Sequence, residues 1–108
     1  MLFRQAVRIA VNRTVGGMHF PVDSAAGQVL GLTLADYFVA LCTGSGFDDW
    51  EFDGTAYPAS QDWDGRDQYD TNTGARTATA YAKKGASRTA AKSPPLEWLW
   101  KKALAEWA

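Results

Sequence analysis

The sequence predicts a mostly α-helical chain in which a long acidic loop separates the helices. Apolar residues recur at helical spacing near the N-terminus, a second apolar stretch runs from about residue 22 to 41, and an amphipathic segment follows two prolines near the C-terminus. The residues between them are rich in glycine and carboxylates, which favour turns over regular structure. We therefore expect three helices and one long irregular loop.

The first predicted helix spans residues 2–15. One apolar face holds four of its side chains: Leu2, Ala6, Ile9 and Arg13. Arg4 and Arg8 lie together on another side. A guanidinium on an apolar face needs an anionic partner. We expect Arg13 to pair either with a carboxylate, Asp23 or Asp36, or with a bound anion.

The second predicted helix runs from about Val22 to Leu41. Small residues and one carboxylate recur every four positions along it: Asp23, Gly27, Gly31 and Ala35. Such a stripe lets another helix approach closely. Polar residues interrupt the apolar run, which falls short of the roughly 18 to 20 residues that a membrane span requires. We therefore expect a buried core helix and no membrane span.

Residues 43–75 contain eight acidic side chains and a single basic one, Arg66. Five aromatic residues lie among the acids and favour a loop that is pinned to an apolar surface. Four carboxylates recur over a short stretch: Asp62, Asp64, Asp67 and Asp70. The glycine and glutamate positions of an EF-hand loop are not matched. A solvated loop is the favoured interpretation, and a calcium site of another kind is the minority alternative.

The basic segment at residues 76–92 has no acids, and both a weak helix and a flexible linker fit it; it could pair with the acidic loop. Ser93 and Pro94 then fit the N-cap and first position of a C-terminal helix. That helix has one apolar face: Leu96, Leu99, Trp100, Ala103, Leu104 and Trp107. Glu97 and Lys101 form an i, i+4 pair on the opposite side.

Composition narrows the functional classes. A formal net charge of −1 gives no reason to expect a nucleic-acid partner. Cys42 is the single cysteine, so no disulfide within the chain is expected. The first residues lack the continuous apolar stretch of a signal peptide, so we expect a soluble chain and no targeting signal in this sequence. The cellular compartment is left open.

The strongest chemical pattern is the spacing Arg13-x5-His19-x3-Asp23 around two glycines and a proline. A planar guanidinium binds phosphate-like oxygens through paired hydrogen bonds. A neutral imidazole can attack phosphorus or bond a metal oxyanion, provided that an acceptor holds its other nitrogen. Asp23 could be that acceptor, because Pro21 suits the first position of a helix and would bring residues 19 and 23 together.

These residues resemble the third signature motif of the type-2 phosphatidic acid phosphatase and vanadium haloperoxidase superfamily. The segment His19–Gly27 is most similar to the soluble bacterial members, and the resemblance covers residues 1 to about 41. It implies a helical bundle of which this chain holds an incomplete part. Four segments are then expected: 1–41 as C-terminal helices of such a core, 42–75 as the acidic aromatic loop, 76–92 as a basic linker or weak helix, and 93–108 as the amphipathic helix.

The resemblance also implies roles for three residues. His19 would be the nucleophile that forms a phosphohistidine, or the ligand that bonds vanadate directly. Arg13 would bind the phosphate or vanadate oxygens, and Asp23 would orient His19. The substrate would be a phosphate ester, or halide with peroxide. The cofactor would be vanadate in a haloperoxidase and none in a phosphatase, with no metal held directly by protein side chains.

Two further motifs of the superfamily, Lys-x6-Arg-Pro and Pro-Ser-Gly-His, do not occur here. Since oxyanion-binding and acid groups act as a unit with the nucleophile, we expect the chain to be inactive alone. Upstream sequence or a companion chain would have to supply these groups. The alternative is a catalytically inactive, truncated helical module that oligomerises or docks on a partner through the Gly27/Gly31 stripe and the Trp100/Trp107 face.

Overall fold

The structure is a computed structural model that describes residues 2–107. Its elements in chain order are α1 (Leu2–Val15), α2 (Pro21–Thr43), β1 (Gly46–Phe52), a short 3-10 helix (Gly54–Ala56), β2 (Ala82–Thr89) and α3 (Pro94–Trp107). Contacts divide the chain into two compact units. Unit 1 combines the described residues up to Leu30 with Glu51–Lys83, and unit 2 combines Gly31–Trp50 with the described residues from Lys84 onward.

The mostly α prediction, and with it the incomplete helical bundle, is wrong. The chain is a small mixed α/β fold in which 51% of the described residues are helical and 16% are strand, and β1 and β2 form an antiparallel two-stranded sheet. Both strands come from segments predicted to be irregular, linker or weakly helical. Their charges pair across the sheet, as in Lys84 Nζ to Asp48 Oδ2 at 3.2 Å. Such opposite-charge pairs stabilise a two-stranded ladder.

Hydrogen bonding connects the first part of α2 to the loop of unit 1, which lies between the 3-10 helix and β2. Ala25 and Val29 are buried on the helix. Gln68, itself 2% exposed, donates from its side-chain amide to the Ala25 carbonyl at 3.1 Å. Nearby, the buried rings of Tyr57 and Tyr81 lie 4.9 Å apart, and burial raises the pKa of both hydroxyls. The loop therefore has a small core of its own and is not merely solvated.

Helix α1 has the predicted bounds, but the face that packs against the loop of unit 1 is not the predicted one. The Phe3 and Tyr69 rings lie 4.9 Å apart, and Val7 lies against Gly65. The predicted core stripe that includes Leu2 and Arg13 is solvent-exposed instead. The reason is that the aromatic loop contacts the Phe3 side of the helix, which spacing within α1 alone does not distinguish from the Leu2 side.

In unit 2, the end of α2 meets the start of α3. The Ser93 N–H donates to the Leu41 carbonyl at 2.9 Å, and α3 begins at Pro94, which confirms the predicted start of this helix. The predicted pair between Glu97 and Lys101 is present at 3.0 Å. The apolar face of α3 is covered only in part by the described residues, since Leu96 and Trp100 are half-buried whereas Trp107 is 89% exposed.

Helix α2 is buried on only part of its surface, contrary to the core-helix expectation. Ala40 and Cys42 are buried, whereas Leu30, Leu34 and Phe38 are exposed. By length and composition, with a mean hydropathy of 1.5 in its most apolar stretch, α2 is also apolar enough to cross a membrane. Core helices of soluble proteins and signal sequences share that property, so it carries little weight by itself.

Candidate functional site

The loop that carries His19 begins at a tightly defined helix end. Gly17 has φ of 75°, and its N–H donates to the Thr14 carbonyl at 3.0 Å. The Met18 N–H donates to the Arg13 carbonyl, also at 3.0 Å. This is the Schellman arrangement, which favours glycine at the residue of positive φ. Gly17 therefore ends α1 and directs the chain towards His19.

The other side of the loop is fixed by the start of α2. Pro21 is the first helical residue, as predicted, and its missing N–H leaves no helical hydrogen bond unmade. The carboxylate of Asp23 accepts the Phe20 N–H at 3.2 Å. A carboxylate three residues after the N-cap commonly satisfies the N-cap amide in this way. Asp23 thus has a structural role in holding the loop against α2.

The same carboxylate oxygen faces His19. Nδ1 of His19 lies 3.9 Å from Oδ2 of Asp23, with side-chain exposures of 38% and 54%. That distance exceeds the hydrogen-bond range of about 2.7–3.2 Å, so the two groups face each other without a hydrogen bond. Catalytic hydrogen bonds are often long without ligand and shorten when the ligand binds. Nε2, at the other side of the ring, is left for an external ligand.

Arg13 lies in the last turn of α1, six residues before His19 in the sequence. Its side chain is exposed and forms no ion pair with the described residues of unit 1. The structure therefore brings His19 and Asp23 together, while the guanidinium of Arg13 forms neither an ion pair nor a hydrogen bond with either of them. Within unit 1, Arg13 forms no salt bridge with Asp23, one of the two purely structural pairings expected for it, and the pairing with Asp36 of the other unit stays a prediction.

The acidic loop holds its carboxylates apart. Asp64 pairs with Arg66 at 3.0 Å, and this hydrogen bonding lowers the pKa of Asp64. Asp70 accepts the Asn72 N–H at 2.8 Å, which closes a turn and lowers its pKa. Within the described part of the chain, no three His, Cys, Asp or Glu side chains lie close enough to hold a metal ion.

Sequence patterns gave no sign of the residue that links α2 to the loop. Gln28 accepts from the Trp63 indole N–H at 3.2 Å and donates to the Gly65 carbonyl at 2.6 Å. This bridge holds the loop in place beside α1 and α2. Gln28 lies 35 residues from Trp63 in the sequence, so no local spacing indicates their contact.

Comparisons with known proteins do not assign this chain to a family. No family model matches the chain, and no curated protein or solved structure matches it significantly. The resemblance to the phosphatase and haloperoxidase superfamily therefore rests on the motif residues.

Proposed function

We propose that the loop between α1 and α2 binds phosphate or vanadate at His19, as part of a phosphatase or vanadium haloperoxidase-like enzyme. The observation that carries the proposal is the position of Asp23. One of its oxygens accepts the Phe20 N–H and also faces Nδ1 of His19. A carboxylate fixed in this way can hold a neutral imidazole with Nε2 available to attack or bond an oxyanion.

In the phosphatase reaction, Nε2 of His19 attacks the phosphorus of a phosphate ester, the alcohol leaves, and water then releases phosphate from the phosphohistidine. Asp23 stabilises the imidazolium character that develops during attack. Arg13, on the last turn of α1, binds non-bridging oxygens once the anion is present. In a haloperoxidase, vanadate bonded to His19 would supply the chemistry that lets peroxide oxidise halide. The reaction also needs a general acid and further oxyanion donors, which a companion chain would have to supply.

Orthovanadate is a suitable probe because the proposed site at His19 would bind it in a phosphatase and in a haloperoxidase alike. Titration calorimetry of the chain should show saturable binding that His19→Ala weakens at least tenfold, since the direct bond to Nε2 is lost. Met18→Ala is the matched control, because Met18 is the adjacent residue and is 71% exposed. Equal affinity in the wild-type chain and His19→Ala, or no saturable binding, would contradict the proposed site.

The second candidate function is a helical module that self-associates. Two observations favour it. Large apolar side chains on α3 are exposed, with Leu104 at 55% and Trp107 at 89%. On α2, a methyl group added at Gly27 or Gly31 would meet nothing within 4 Å, so the small-residue stripe stays open to another helix.

Self-association through α3 predicts that sedimentation velocity detects dimers or larger species that Trp107→Ala weakens. Loss of one fully buried tryptophan from such an interface should cost about 2 kcal/mol or more of association free energy. Glu106→Ala, at an exposed charged position next to it, is the control. A monomer at all concentrations that unfolds cooperatively would exclude this candidate.

A further inference from the structure

A groove separates α1 from the loop of residues 62–71, within unit 1 and apart from His19. Its volume is about 790 Å³, within the range of roughly 300–1,000 Å³ typical of small-molecule sites. The residues that line it include three arginines, two aspartates and the apolar side chains of Phe3, Val7 and Trp63. None of the three residues of the proposed phosphate site is among them.

Two cations on one wall of the groove have no ion-pair or hydrogen-bond partner among residues 2–107. Arg4 and Arg8 are exposed, and neither forms an ion pair or side-chain hydrogen bond with a residue between 2 and 107. They are four positions apart, so their side chains lie on the same side of the helix. The first turn of α1 holds no acidic residue, and its helix dipole adds positive potential there. This end of the groove favours an anion.

The carboxylates on the opposite wall do not cancel that charge. Asp64 is held by Arg66, through Nε at 3.2 Å and an N–H of the guanidinium terminus at 3.0 Å, so this pair is balanced internally. Asp62 is the remaining carboxylate and lies next to Trp63, where the groove adjoins a second, smaller cavity. Three guanidiniums and two carboxylates leave the groove with a net charge of +1.

Between these charges the surface is apolar and held in place. Phe3 and Val7 are half-buried on α1, and Trp63 is half-buried on the loop. The indole of Trp63 is held through its N–H by Gln28 at 3.2 Å. A fixed aromatic ring beside aliphatic side chains can contact an alkyl or aryl group, while the guanidiniums bind an oxyanion at its end.

We propose that this groove binds a small amphiphilic anion, an alkyl or aryl group that ends in a phosphate, sulfonate or carboxylate. Arg4 and Arg8 bind the oxyanion, and Phe3, Val7 and Trp63 contact the apolar body. The site is independent of His19, so it stands whether or not the chain binds vanadate.

Octyl phosphate below its critical micelle concentration is a suitable probe, titrated by calorimetry into the His19→Ala chain so that the proposed phosphate site cannot contribute. We expect one saturable site. Arg4→Gln together with Arg8→Gln should weaken binding at least tenfold, because two charge-assisted interactions are lost. Octanol, which lacks the charge, and inorganic phosphate, which lacks the chain, should each bind at least tenfold more weakly.

The control is Lys83→Gln together with Lys102→Gln, which removes the same charge at exposed positions outside the groove. It should leave the affinity within about twofold. An equal loss in this control would mean that general electrostatics, not the groove, accounts for binding. Unchanged affinity in the double arginine variant, or no saturable binding to the parent chain, would also overturn the proposal. Circular dichroism of each variant verifies that the fold is kept.

Discussion

Replacement of Gln28 by alanine is expected to destabilise the chain by about 3 kcal/mol, because each partly buried polar group left without its partner costs about 1–3 kcal/mol. Gln28 satisfies two such groups at once, the indole N–H of Trp63 and the carbonyl of Gly65. Gly65 is buried, so its carbonyl cannot readily turn to water. Urea unfolding followed by tryptophan fluorescence would measure the loss.

Gln61→Ala is the matched control for this experiment. The Gln61 side chain is exposed, and the hydrogen bond that it donates to Asp67 is 3.5 Å long. Its loss should change the free energy of unfolding by less than about 0.5 kcal/mol. If Gln28→Ala proved as mild as Gln61→Ala, the side chain of Gln28 would not bridge α2 and the loop as described.

Gly65→Ala is expected to cost about 1–3 kcal/mol, the range found when extra atoms are forced into a packed site. A Cβ at this position would lie 2.6 Å from Cγ2 of Val7 and 3.4 Å from both Phe3 and Trp63. The side chain of Val7 is β-branched and has little rotamer freedom on a helix. Either α1 or the loop must therefore move. Thermal unfolding monitored by circular dichroism would detect the change.

Gly27→Ala is expected to have the opposite effect on stability to Gly65→Ala. Gly27 lies inside α2, and an added methyl group would meet nothing within 4 Å. Alanine is favoured over glycine in a helix by about 0.5–1 kcal/mol, so this variant should be more stable than the parent chain. If Gly65→Ala and Gly27→Ala changed the stability of the chain equally, α1 would not approach Gly65 as closely as described.

Local signals in the sequence were enough to place the helices. The α1 segment has helical spacing, Pro21 and Pro94 each occupy the first position of a helix, and Gly17 marks where α1 ends. Each of these signals acts within one or two turns of the chain. The proximity of His19 and Asp23 could be predicted for the same reason, since four residues and one helix start separate them.

The sheet and the inward face of α1 could not be predicted, because both depend on distant partners. Asp48 meets Lys84, which lies 36 positions further along the chain, and each residue alone resembles part of a solvated charged run. The choice between the Phe3 and Leu2 sides of α1 depends on the aromatic residues that reach it from the loop. Similarly, motif spacing placed Arg13 on the correct helix but did not determine where its guanidinium points.

The most direct test of the proposed phosphate site is ¹⁵N nuclear magnetic resonance of the His19 side chain, recorded while orthovanadate is added. His19 is the single histidine in the chain, so the imidazole signals need no assignment by mutation. The proposal predicts a saturable shift at Nε2, which bonds vanadate, while Nδ1 keeps its proton and remains directed at Asp23. Ring nitrogens that do not respond while vanadate saturates the chain, or a chain that binds no vanadate, would contradict a phosphate or vanadate site at His19.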